Sequence, residues 1–134
     1  MSLSNLGEDR TLDLLFGSGS PANYELALSE TTPNENGTNF TEPVGNGYSR
    51  IVVPNNATSF PAASGGQKVN GVTFEYGPAT GPWGSGAPSP LTHWGLFDQS
   101  TGDLILYGPL TPNKSVTAPD ILRILVGDLL VTAD

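Results

Sequence analysis

His93 is the single histidine of the chain and the first residue to consider for catalysis. A serine hydrolase needs a nucleophile, a histidine base and an orienting acid in mutual contact. The nucleophile pattern Gly-x-Ser-x-Gly does not occur, and Gly84-Ser85-Gly86 lacks its spacing. Because His93 stands beside Trp94 in a strand-like stretch, we interpret it as a packed, hydrogen-bonded residue. We therefore predict no catalytic residue and no enzymatic activity.

Asp98 and Asp103 bracket a short polar stretch. Two carboxylates that face each other can act as the catalytic pair of a glycosidase or as ligands of a calcium ion. A glycosidase holds its two carboxyl groups roughly 5–9.5 Å apart in a sugar-binding cleft. A calcium loop of the EF-hand type has a regular ligand spacing that is missing here. Aspartate often bonds the backbone of its own turn, so we interpret the pair as ends of a hairpin turn. We predict no metal and no cofactor.

Composition excludes several classes of function. The 134 residues include no cysteine, which rules out a disulfide scaffold, a thiol catalyst and a cysteine-based zinc site. Five basic residues against 13 acidic ones give a net charge of −8, which argues against nucleic acid as a partner. No apolar run approaches the ~20 residues of a membrane span. The first residues lack a basic and an apolar region, so we expect no secretory signal.

Helical periodicity appears near the start of the chain. Asn5 and Glu8 have the spacing of a capping box. Leu12, Leu15 and Phe16 fall on one helical face. Gly17 follows as a candidate left-handed C-cap. These signals predict a short helix at about residues 5–16.

After the helix the apolar residues alternate with a period of two, which is typical of strands. We predict strands at about residues 23–29, 48–53, 68–76, 91–97, 104–107, 121–125 and 129–133. Two polar segments rich in glycine, proline and asparagine, residues 30–47 and 77–90, are predicted to be long loops, and Pro112-Asn113 is predicted to be a turn. The pattern indicates a single mainly β domain over residues 1–134, a β-sandwich of jelly-roll type with a short N-terminal helix.

The predicted hairpin 91–107 is apolar on both faces. Trp94 and Leu96 point one way, while Phe97 points the other. A strand in a monomeric sandwich usually has one face exposed to solvent, which carries polar residues. Two dry faces require a covering helix, a covering loop or a partner subunit, and the sequence leaves these three covers open.

Several segments occur in a fixed order along nearly the whole chain. They are Leu14-Leu15-Phe16-Gly17, Tyr24-Glu25-Leu26-Ala27-Leu28-Ser29, Glu42, Gly47-Tyr48-Ser49-Arg50, Asn55-Asn56-Ala57-Thr58, Pro61-Ala62-Ala63-Ser64-Gly65-Gly66, residues 91–98 and 101–108, Lys114-Ser115-Val116 and residues 127–132. In this order the chain resembles a family of small tailed-phage and prophage virion proteins that are labelled tail-fibre-like or serve as capsid decoration proteins. The loop 77–90 is longer than is usual in that family.

The resemblance implies a structural protein of the virion. We expect a capsid cement or decoration protein that is made in the host cytoplasm and lies on the capsid exterior. It would bind as a homotrimer across the seams between subunits of the major capsid protein, without nucleic acid or membrane partners. The alternative is a tail-fibre or tail-tip protein that contacts a host receptor through loop 30–47 or 77–90. The large apolar residues expected to make partner contacts are Leu3, Leu6, Phe60, Trp83 and Tyr107.

The apolar hairpin generates a first prediction. If a partner copy covers one of its faces, the purified chain should form a stable oligomer, with a trimer preferred. Light scattering or sedimentation should give a mass near three subunits, and a monomer at micromolar concentration would contradict this expectation.

Overall fold

A computed structural model describes residues 2–133. Contacts divide the chain into two compact units made of interleaved segments. The first unit contains the residues up to Asn23, Val53–Phe74 and the residues from Ile124 onward; the second contains Tyr24–Val52 and Glu75–Arg123.

Among the described residues there is one α-helix, α1 (Asn5–Leu15), followed by eight strands. The strands are β1 (Asn23–Ser29), β2 (Ile51–Pro54), β3 (Gln67–Val69), β4 (Phe74–Tyr76), β5 (Leu91–Asp98), β6 (Leu104–Lys114), β7 (Leu122–Ile124) and β8 (Leu130–Thr132). They form a four-stranded sheet in the order β2-β1-β5-β6 and two-stranded sheets of β3 with β8 and β4 with β7. The predicted mainly β class with one short helix is confirmed, whereas the jelly-roll topology stays a prediction. The described helix is too short to cross a membrane.

Helix α1 begins at Asn5, close to the predicted start, but its cap is the preceding residue and not Asn5. Ser4 is the N-cap, since its extended backbone lets the Oγ accept the Gly7 N–H at 3.2 Å. Leu12 is buried, while Leu15 stays 44% exposed. Gly17 has a φ of +107°, the left-handed conformation expected just beyond the helix.

The predicted strand 68–76 is in fact two strands that belong to different sheets. Asn70, which is fully buried in the first unit, interrupts it. Its Nδ2 donates to the carbonyls of Val72 and Leu125, and its Oδ1 accepts the N–H groups of Gly127 and Leu129, at 2.8–3.0 Å. The side chain thus replaces the ladder bonds that a continuous strand would make, because it satisfies four backbone groups at once.

The predicted turn at Pro112-Asn113 is also corrected, because both residues lie inside β6. Proline cannot donate a backbone hydrogen bond and is therefore confined to edge strands within a sheet. β6 is an edge strand of the four-stranded sheet, which explains how it accommodates Pro109 and Pro112.

The central position of β5 accounts for much of its apolar character. β5 lies between β1 and β6, with Leu26 opposite Leu96 and Leu28 opposite Trp94. The face of β5 that carries Phe97 is covered from within the chain by Phe40, whose ring meets the Phe97 ring edge-on at 5.0 Å. Phe40 belongs to loop 30–47, so a loop supplies one of the covers that the sequence left open.

Asn70 generates a stability prediction. Asn70→Ala removes one buried and three part-buried hydrogen bonds, and a buried group such as the Leu129 N–H that loses its partner costs roughly 1–3 kcal/mol. We expect the free energy of unfolding to fall by at least about 2 kcal/mol in urea titrations. Asn113→Ala, at an exposed position of β6, is the matched control and should change it by no more than ~0.5 kcal/mol. Equal effects of the two substitutions would contradict the bridging role of Asn70.

Candidate binding cleft

The two longest predicted loops, 30–47 and 77–90, meet in the second unit, and Asn46 joins them. Its side-chain Nδ2 donates to the Pro82 carbonyl at 2.8 Å. Its own carbonyl accepts the Thr80 N–H at 3.0 Å and the indole Nε1–H of Trp83 at 2.8 Å. Three bonds on one residue hold the loops in a defined relation.

A second connection runs from Glu30 to the 77–90 loop. The Ser85 N–H donates to Glu30 Oε2 at 2.8 Å, and the Ser85 hydroxyl bonds Oε1 of the same carboxylate. Gly84 makes this approach feasible: its φ is +98°, and a Cβ there would lie 2.7 Å from Glu30 Oε2. Only glycine fits both the backbone conformation and the space.

Between the two loops lies a cleft of about 350 Å³. It is lined by Glu30, Thr41, Glu42, Pro43, Val44, Asn46, Pro82, Gly84, Ser85 and Ala87. Val44 is 93% exposed at this site. None of these lining residues is a lysine, arginine or histidine, so the cleft offers carboxylate, hydroxyl and amide groups beside aliphatic ones.

Three aromatic rings pack in the second unit beside these loops. Tyr48 stacks in parallel with Tyr76 at 5.9 Å between ring centroids and meets Trp83 edge-on at 5.4 Å. The Tyr76 hydroxyl donates to the Leu26 carbonyl at 2.7 Å, which ties the cluster to β1. The rigid packing of these rings gives the loops a firm base.

The carboxylate of Glu42 is hydrogen-bonded to Tyr48 of this aromatic cluster and to Arg50. It accepts the Tyr48 hydroxyl at 2.7 Å and two Arg50 N–H groups at 3.0 and 2.8 Å. Burial, reinforced by the bond to Glu42, raises the pKa of Tyr48 far above its ordinary value, and the Glu42 bond raises the pKa of Arg50. Arg50 also lies 4.1 Å from the Phe97 ring centroid. The charge of Glu42 is therefore compensated within the protein.

The residues that the sequence singled out for partner contacts do not come together. Leu3 and Leu6 are exposed at the start of the chain, 49% and 71% respectively. Tyr107 is half-buried, and its hydroxyl donates to Glu35 Oε1 at 2.8 Å. Phe60 and Trp83 are 4% and 1% exposed, because each packs in an aromatic cluster of its own unit. In this conformation these two rings are not available to a partner, and Trp83 positions the loops instead.

The groups first considered for catalysis have ordinary surroundings. His93 Nδ1 lies 2.8 Å from the Thr92 hydroxyl, and partial burial lowers the pKa of the imidazole. Asp98 accepts the Ser100 N–H and hydroxyl at 2.8 and 2.6 Å, and its own N–H donates to the Asp103 carbonyl, as expected of a hairpin turn. Within residues 2–133 no three histidine or acidic side chains are grouped so as to hold a metal ion.

Sequence reasoning selected the two loops but missed the residues that build the cleft. Glu30, Val44 and Asn46 carry no motif. Asn46 bonds Pro82, which lies 36 positions away in the chain, and Glu30 bonds Ser85, which lies 55 positions away. The one available signal was the length and polarity of both loops.

A family model matches nearly the entire described chain, and the match defines the class of the protein: a structural protein of a bacteriophage virion. The family is described as podophage GP4 fiber I protein gp80, the match covers residues 2–132, and the chain belongs to this family. The predicted resemblance to tail-fibre-like phage proteins is thereby confirmed. No curated protein sequence matches the chain.

The Glu42 network generates a prediction. Glu42→Gln removes a charged acceptor of three bonds, and we expect the free energy of unfolding to fall by about 1–2 kcal/mol after allowance for partial exposure. Glu75→Gln is the control, because Glu75 makes a single contact with Arg123 and both side chains are half-exposed. Its effect should stay below ~1 kcal/mol. Tryptophan fluorescence during urea unfolding measures both, and a larger loss in the control would contradict the assignment.

Proposed function

We propose that the protein is a fibre component of a phage tail that acts by binding a host surface. The family match over residues 2–132 carries this proposal, since the family is described by a fibre protein. The cleft supports it, because loops held on a packed scaffold are the usual location of a recognition site. The net charge of −8 suits a particle surface that must stay dispersed.

The proposed mode of action is non-enzymatic. The cleft contains the carboxylates of Glu30 and Glu42, but Glu42 is neutralised by Arg50 and Glu30 is held by Ser85. His93 bonds Thr92 and lies outside the residues that line the cleft. Binding alone accounts for this set of side chains. We further propose that neither nucleic acid nor a membrane is a partner.

A second candidate function is capsid cement. Here a homotrimer would bind the major capsid protein on the capsid exterior and stabilise the assembled head, because it binds the shell and not the free subunits. The exposed leucines of the N-terminal segment favour this candidate. Leu6 and Leu14 are 71% and 73% exposed and lie on one face of α1, and Leu3, just before the helix, is 49% exposed, so this segment offers an apolar attachment surface.

Virions that lack the protein separate the two candidates. If it is a fibre component, heads without it should resist heat and osmotic shock like complete heads, while adsorption to host cells falls. Antibody labelling of complete virions should mark the tail.

Adding the purified chain back provides the control for this experiment. Restored adsorption supports the fibre role. Label spread over the head, together with fragile heads that purified protein strengthens at near-stoichiometric occupancy, would overturn it in favour of cement. In that case Leu6→Ser should weaken the rescue more than Leu125→Ser, an exposed leucine at the other end of the chain.

A further inference from the structure

The cleft between loops 30–47 and 77–90 offers both donors and acceptors to a ligand. Glu30 accepts two bonds from Ser85, whereas a carboxylate has about four acceptor sites. Asn46 uses one N–H on Pro82 and retains its amide oxygen and second N–H. A ligand hydroxyl, which donates and accepts, matches such a mixed set.

An aliphatic surface borders these polar groups. Val44 is 93% exposed and therefore contributes almost nothing to a protein core. Pro43, Pro82 and Ala87 line the same cleft. A sugar ring presents C–H groups on its face and hydroxyls on its edge, so an aliphatic patch beside hydroxyl-binding groups is complementary to it in both respects.

The negative charge of the cleft and of the chain argues against anionic ligands. The lining residues contain two carboxylates and no basic side chain, and the whole chain carries −8. Phosphorylated, sulfated or uronic acid ligands would be repelled. The Glu42 charge is balanced by Arg50 at 2.8 Å, and both Glu30 oxygens already accept bonds, so no strong cation site is built either.

We infer that this cleft binds a neutral saccharide, with Glu30 accepting a sugar hydroxyl and Val44 packing against the ring. This inference rests on the proposed fibre function, for which it names the site and the class of host ligand. The volume of about 350 Å³ lies at the small end of ligand sites and suits a chain end or a short branch rather than a long polymer. The bonds that Asn46 and Ser85 make between the loops fix the two walls of the cleft relative to each other.

An array of neutral, acidic and amine-bearing oligosaccharides, probed with the full-length chain, tests this inference. Neutral oligosaccharides should be retained and acidic ones should not. Binding should change little when ionic strength rises from about 0.1 M to about 1 M, because screening acts on charges. Retention of only acidic or only amine-bearing probes, or of no neutral probe, overturns the proposal.

Two pairs of substitutions locate the site. Glu30→Gln should weaken binding of the retained neutral probe by about tenfold or more, since a hydrogen bond to a charged group contributes roughly that factor. Glu75→Gln, outside the cleft, should leave the affinity unchanged. Val44→Ser should weaken binding without altering the unfolding curve, whereas Val126→Ser, another exposed valine, should alter neither.

The outcomes also distinguish failure of the site from failure of the proposed function. If neutral probes bind but the Glu30 and Val44 variants bind like the parent, the cleft assignment is wrong while the fibre role stands. If labelling places the protein on the head, the fibre role fails whatever the array shows.

Discussion

Burial of the Trp83 indole is the constraint on which the second unit depends. An indole N–H removed from water needs an acceptor, and the carbonyl of Asn46 supplies it at 2.8 Å. This bond joins two loops that lie far apart in the chain. The Tyr48 and Tyr76 rings pack against Trp83, and the Glu30–Ser85 bond makes a second link between the same loops. Trp83, which the sequence suggested as a partner contact, is thus a buried residue that positions the two loops.

Single polar side chains with several partners explain how a chain with few charges builds a defined site. One arginine, Arg50, is shared by Glu42 and Glu25 and also covers the ring of Phe97. One asparagine in the other unit, Asn70, satisfies four backbone groups. Asn70 sets the local backbone conformation, because its side chain replaces several ladder bonds, and Arg50 links side chains of separate segments. Loops held by such contacts suit the proposed role in binding, because preorganised loops lose less entropy when a ligand binds.

Local patterns predicted much of the secondary structure. The period of two located β1 and β5 closely, and Gly17 marked the end of the helix. The errors have tertiary causes. The strand predicted at 68–76 is divided because Asn70 bonds backbone that follows about 55 residues later. Pro112 lies in a strand because that strand is at an edge of its sheet, which no local pattern reveals.

By itself the sequence determined the mainly β class, the single short helix, the two long loops and membership of a phage virion family, because periodicity, glycine and proline content and ordered segments are written along the chain. Only the tertiary structure decided which loop residues face one another. Glu30 and Ser85, or Asn46 and Trp83, have no local relation, and their pairing depends on the packing of buried rings. That packing also decided that Trp83 is interior and Val44 exposed, since burial is a property of the assembled fold and not of residue type.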